Sequence, residues 1–170
     1  MLRRNYKKAI IRYPAYGVLV IVFFALQSSR LPGWTFWGAT ADVMPFITAA
    51  AAIYENPYCA GIVGFGAGLI ASLHSTVTEG VEALFLAIFG IVFAYFAKVW
   101  FSDNALLPFF GGIAALFLFD LLVCIFYYGL VYEMSFGAGV KMIFARLVLS
   151  SPGGALACFL MKKLSAEESR

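Results

Sequence analysis

Six apolar runs, separated by short polar or turn-forming segments, pass through this chain: about 13–29, 39–54, 57–73, 81–101, 105–131 and 140–161. A helix crosses a hydrocarbon core in about 20 residues, so each run predicts one transmembrane helix. The second is barely long enough, and Pro45 within it must either kink the helix or begin it. The fifth is longer than a bilayer needs, which predicts a tilt or a first turn at the interface up to Pro108. In the sixth, Pro152-Gly153-Gly154 predicts a bend, because the proline ring removes a backbone donor and crowds the preceding turn.

The third run, Ala60 to Ser72, carries small residues at helical spacing. At about 100° per residue, Gly61, Gly64, Gly68, Ala71 and Ser72 share one face, whereas Val63, Gly66 and Ile70 point elsewhere. Such a glycine density would weaken a helix in water. In a bilayer the backbone bonds to itself, and the bare face admits close neighbours. The stripe is read as a packing seam inside one bundle, with a partner interface or a ligand approach as the alternatives.

The segments between the runs fix a direction. Arg3, Arg4, Lys7, Lys8 and Arg12 precede the first run, and Lys162, Lys163 and Arg170 follow the last, which places both termini in the cytoplasm under the positive-inside rule. Lys98 falls on the same side, while Arg30, Lys141 and Arg146 are exceptions. Trp34 and Trp37 suit the outer headgroup layer, or a ligand stacked there. Glu55-Asn56-Pro57 predicts a tight cytoplasmic turn, and His74 to Gly80 an outer loop.

Composition agrees with this pattern. Of 170 residues, 63% are hydrophobic and 12% charged, with a net charge of +3 and a mean hydropathy of +0.91. A water-soluble domain averages about half apolar residues. The expected fold is therefore all-α: a polytopic protein with six transmembrane helices in one compact bundle, a single integral membrane domain over residues 1–170. Cys59, Cys124 and Cys158 lie far apart without metal or redox spacing and are read as small core residues. No cleavable signal is expected, because bulky aromatic residues follow the first apolar run.

Charged residues inside spans are costly, and each is a functional candidate. Asp42, Asp120 and Arg146 qualify. Counted from the helix ends, Asp120 and Arg146 differ in depth by an amount that a guanidinium arm can bridge, so a pair between the fifth and sixth helices is within reach. The preferred reading is a structural salt bridge or a snorkelling Arg146, with a proton or substrate site as the alternative. Asp42, three residues before Pro45, is positioned to cap the second helix. Glu82, in the first turn of the fourth helix, suits the helix dipole. The sequence assembles no nucleophile beside a base, no paired carboxylates and no metal-ligand cluster. No enzyme activity, metal or cofactor is expected, and the basic residues sit where acidic lipid rather than nucleic acid accounts for them.

Read in order, the chain resembles the MreD family of bacterial rod-shape proteins. Ala25-Leu26-Gln27-Ser28-Ser29 resembles the end of that family's first helix, and Asp42-Val43-Met44-Pro45 the opening of its second. Ala60-Gly61-Ile62-Val63-Gly64-Phe65-Gly66-Ala67-Gly68-Leu69-Ile70 is similar to its glycine-rich third helix. Phe119-Asp120-Leu121-Leu122 resembles an acidic position in helix five, and Pro152 with Phe159-Leu160-Met161-Lys162-Lys163-Leu164 its last helix and basic tail. Members often carry aspartate where this chain has Ser72. The resemblance implies a non-enzymatic adaptor in the bacterial cytoplasmic membrane that binds an MreC-type bitopic protein. It would act with the MreB filament and with RodA and penicillin-binding synthases in peptidoglycan synthesis and cell shape. The family is also similar in fold to the substrate-binding subunits of energy-coupling-factor vitamin transporters, which implies an alternative function with an outer pocket covered by the Trp34 and Trp37 loop.

Overall fold

The computed structural model describes residues 2–28, 35–36, 39–73, 80–100, 106–125 and 136–166. Among them are six helices, α1 (Leu2–Ser28), α2 (Met44–Tyr54), α3 (Pro57–Ser72), α4 (Val81–Trp100), α5 (Leu107–Val123) and α6 (Phe136–Ala166), so the regular structure of the described residues is helical apart from a minimal hairpin. That hairpin pairs β1 (Thr35–Phe36) with β2 (Ala39–Thr40) in antiparallel register, Thr35 opposite Thr40, and it rests against α6.

The short helix α2 lies at the centre. Met44 through Ala52 are all buried, although the helix has only 11 residues. It has no polar face to turn outward, which is the pattern of a helix enclosed by others, and α3, α4, α5 and α6 pack around it. Pro45 stands in its first turn, where the missing N–H costs nothing, so the proline begins the helix and does not kink it. At the other end Glu55 and Asn56 are extended; Asn56 precedes Pro57, whose ring disfavours a helical conformation there, and Pro57 then opens α3.

Small residues set the distances between helices. Along the antiparallel α3–α4 seam, a side chain at Gly61 would meet Ile91, one at Gly64 the carbonyl oxygen of Leu86, and one at Gly68 the Cα of Ala83 at 2.5 Å. Gly90 answers from α4, where a Cβ would come 2.7 Å from the carbonyl oxygen of Ala60. The methyl group of Thr48 in α2 fills the notch between Gly64 and Gly90, while its hydroxyl donates to the Met44 carbonyl at 3.1 Å. Phe46 is similarly seated between Gly112 of α5 and Gly154 of α6; a Cβ at either glycine would run into its ring. Gly80, at φ +75°, supplies the left-handed residue that leads into α4.

α1 lies at the flank, with Tyr16, Leu19, Val20 and Phe23 turned inward at helical spacing. The Tyr16 hydroxyl donates to Glu55 Oε1 at 2.6 Å and fixes α1 to the α2–α3 turn. The outward surface is strongly apolar: Ile62, Leu73 and Val99 are 74%, 77% and 78% exposed, respectively. Among the described residues, two helices, Val81–Val99 and Gly137–Ser165, are long and apolar enough to cross a membrane. The remaining apolar helices are shorter, with 10–17 residues.

Several boundaries differ from the sequence expectation. α1 begins at Leu2, because a helix continues through good helix formers such as Lys and Arg after the apolar run has stopped. α2 begins at Met44 and not at Ala39, since 39–40 form the second hairpin strand. α6 starts at Phe136, before the expected start near 140, and continues through Pro152 as one element. Beside that proline, the Ser151 hydroxyl donates to the Leu147 carbonyl at 2.7 Å.

The seam makes a graded prediction. Gly64→Leu and Gly68→Leu should each destabilise the protein by about 1–3 kcal/mol or more, because the obstructing atoms are backbone and cannot yield. Gly66→Leu should stay within about 0.5 kcal/mol, since a Cβ there meets nothing within 4 Å. Equilibrium unfolding in mixed micelles measures all three.

Candidate functional site

At the end of the bundle opposite Glu55, four elements bring charged side chains together. The segment before α2 supplies Asp42, the first turn of α4 Glu82, the C-terminal half of α5 Asp120, and α6 Arg146 with Ser150 one turn later. The three acids are almost wholly buried, at 1%, 3% and 3% exposure. Arg146 lies between two of them: Nη2 donates to Asp42 Oδ2 at 2.7 Å and Nη1 to Asp120 Oδ1 at 2.5 Å. A guanidinium can do this because its planar fork presents separate donors to separate carboxylates, which a lysine ammonium does less well.

Asp42 has a second task. Its Oδ1 accepts the Met44 backbone N–H at 3.0 Å, which satisfies one of the free donors at the start of α2, and its own N–H donates to Ser150 Oγ at 2.8 Å. One residue thus caps α2 and fastens that cap to α6 through both Arg146 and Ser150. Three buried atoms in the cluster have no hydrogen-bond partner: Glu82 Oε1, Asp120 Oδ2 and Arg146 Nε. The Glu82 carboxyl lies within hydrogen-bonding reach of the Asp42 carboxyl. Among the described residues, no group of three or more His, Cys, Asp or Glu is arranged to hold a metal ion.

The structure brings together Asp42, Asp120 and Arg146, the three charged candidates of the apolar runs. The Asp120–Arg146 pair has the expected partners; the link from Arg146 to Asp42, 104 residues away in sequence, was not expected. Glu82 was accounted for by its local position, and nothing in the pattern signalled that α4 delivers it into this cluster. Ser150 offered one usable signal: it stands one helical turn after Arg146, on the same face.

The other candidates lie elsewhere. Gly61, Gly64 and Gly68 form the α3–α4 seam, and Ala71 is buried at its end. Ser72 is partly exposed, with its hydroxyl donating to the Leu69 carbonyl at 2.8 Å. Pro45 and Pro152 are in the first turn of α2 and within α6, respectively. Trp34, Trp37 and His74 lie outside the described residues. Away from the cluster, an apolar groove of about 570 Å³ runs between α1 and α3, lined by Tyr16, Gly17, Val20, Ile62, Gly66 and Ile70, among others.

Comparison with protein-family models, with curated protein sequences and with solved structures gives no significant match.

Removal of the guanidinium should be the most damaging single change at this site. Arg146→Met would leave Asp42 and Asp120 buried without their counter-charge and should cost about 3–5 kcal/mol. Asp120→Asn should be milder than Asp120→Leu, because the amide still offers an oxygen to Nη1. Thermal and denaturant unfolding of the purified variants read both comparisons.

Proposed function

We propose that the chain is a non-enzymatic membrane scaffold of the MreD type, which crosses the bacterial cytoplasmic membrane six times with both termini inside and binds a single-span partner. The observation that carries the membrane reading is the inversion of polarity. Large apolar side chains cover the outside of the described helices, and the charged cluster is enclosed. A soluble protein rarely exposes apolar surface on this scale, whereas lipid solvates it and makes internal pairing of charges obligatory.

Helix direction supports the same orientation. Asp42, Glu82, Asp120 and Arg146 meet at one end of the bundle, while Tyr16 bonds Glu55 at the other. This alternation puts the basic N-terminal stretch, the α2–α3 turn, Lys98 and the C-terminal lysines at one end, as the positive-inside rule requires. Helix α2 spans about 16 Å at about 1.5 Å per residue, too short to cross alone. Its backbone polar groups are shielded by surrounding helices, the condition under which a short or broken span is tolerated.

The scaffold reading draws on the sequence resemblance and on the way the centre is filled. Phe46, Thr48 and the Ala49–Ala52 run occupy the middle of the bundle, wedged against glycines. The described groove opens instead along the α1–α3 flank, where the neighbour would be lipid or another helix. A vitamin-transport subunit would need an enclosed ligand pocket.

Two measurements test the reading. On a background without Cys59, Cys124 and Cys158, Ser165→Cys should be shielded from an impermeant thiol reagent in intact cells and Ser135→Cys labelled; the reverse pattern would overturn the topology. Mass spectrometry of the gently purified protein should find a co-purifying single-span cell-wall protein of the MreC type. A stoichiometric vitamin together with an ATPase module, and no such protein, would sink the scaffold proposal.

A further inference from the structure

Arg146 spends Nη2 on Asp42 and Nη1 on Asp120, so neither of these bonds reaches Glu82. Yet Glu82 is only 3% exposed, its Oε1 has no hydrogen-bond partner, and its carboxyl faces that of Asp42 within hydrogen-bonding reach. Two ionised carboxylates at that range offer each other acceptors and no donor. Their contact becomes favourable when one of them carries a proton and donates it to the other.

We infer that Asp42 and Glu82 form a buried carboxyl pair that binds one proton, held beside the Arg146 guanidinium at the end of the bundle opposite Glu55. The proton resides on Glu82. Asp42 already receives the Met44 N–H on Oδ1 and an Arg146 N–H on Oδ2, so both of its oxygens serve as acceptors. Glu82, which has no comparable donor on Oε1, is the member that gives a hydrogen bond and does not receive one.

Charge balance points the same way. With one proton bound, two carboxylates face one guanidinium, and a single negative charge remains. The N-termini of α2 and α4 both lie at the cluster, each contributing roughly half a positive charge. Together they offset that remainder. Without the proton a further negative charge would sit in the same enclosed space. The groups facing Glu82 from the packed elements are Asp42 before α2, Asp120 on α5 and Arg146 on α6; α3 presents Gly68 to the first turn of α4, with no titratable group. The Arg146 side chain is 20% exposed, which gives the site a polar route to the outside at this end. Loss of the proton would set two adjacent negative charges against each other and push the start of α4 away from the cap of α2, so the pair is a proton-operated latch between those elements.

Infrared spectroscopy of the full-length protein in lipid nanodiscs at neutral pH tests this directly. The expected result is a protonated-carboxyl carbonyl band that shifts when glutamate is labelled with ¹³C at its side-chain carboxyl. The band should be lost in Glu82→Gln, whose amide keeps a donor toward Asp42. Solvent-exposed glutamates do not contribute, being ionised at this pH. Absence of the band, its survival in Glu82→Gln, or its response to labelled aspartate alone would overturn the inference. Should Glu82→Gln fail to fold, the isotope shift in the unmutated protein decides the question.

Discussion

The architecture depends on one buried guanidinium that bonds two carboxylates from different parts of the chain. Arg146 of α6 holds Asp42, which caps α2, and Asp120 of α5, so one side chain ties the start of α2 and the last turn of α5 to α6. Charges taken out of water repay their desolvation only when paired in good geometry. That requirement is what makes the arrangement specific: a shift of α6 by a single residue would rotate Arg146 by about 100° and leave all three charges exposed to an apolar interior. Ser150, one turn farther along the same helix, takes the Asp42 N–H and fixes the register a second time.

Around this polar end the bundle is held by the absence of side chains. Thr48 and Phe46 of α2 enter notches left by Gly64 and Gly90 on one side and by Gly112 and Gly154 on the other. Close packing at the glycine seams and internal polar bonds at the Arg146 cluster hold the helices together. α2 needs both. It is too short and too apolar to be independently stable, and its position is set by the cap at one end and by glycine notches along its length.

Much of this was legible in the sequence because membrane-like helices announce themselves locally. The six runs gave the six helices in order, and the glycine spacing of the third run marked a bare face, which the structure packs against α4. Depth offered the Asp120–Arg146 pair as one reading among several, and the structure forms it. What remained hidden depends on information that no local pattern carries. Glu82 has a sufficient explanation in its own helix dipole, so it left no unexplained charge to seek a partner. Asp42 has a sufficient one as a cap. That the same two residues face each other beside Arg146 follows from how four separate elements converge. The boundaries shifted for a different reason: hydropathy marks where apolar residues stop, whereas backbone hydrogen bonding continues α1 back to Leu2 and α6 forward to Ala166.

The most direct measurement of the central claim is a double-mutant cycle between Arg146→Met and Asp120→Leu, read by reversible unfolding of the full chain. If the guanidinium is the counter-charge on which the cluster depends, removing its partner as well relieves an orphaned buried charge. The double variant should then be more stable than Arg146→Met alone, with a coupling of more than about 1 kcal/mol. Effects that add within about 0.5 kcal/mol would contradict it, since that is the behaviour of sites that do not touch.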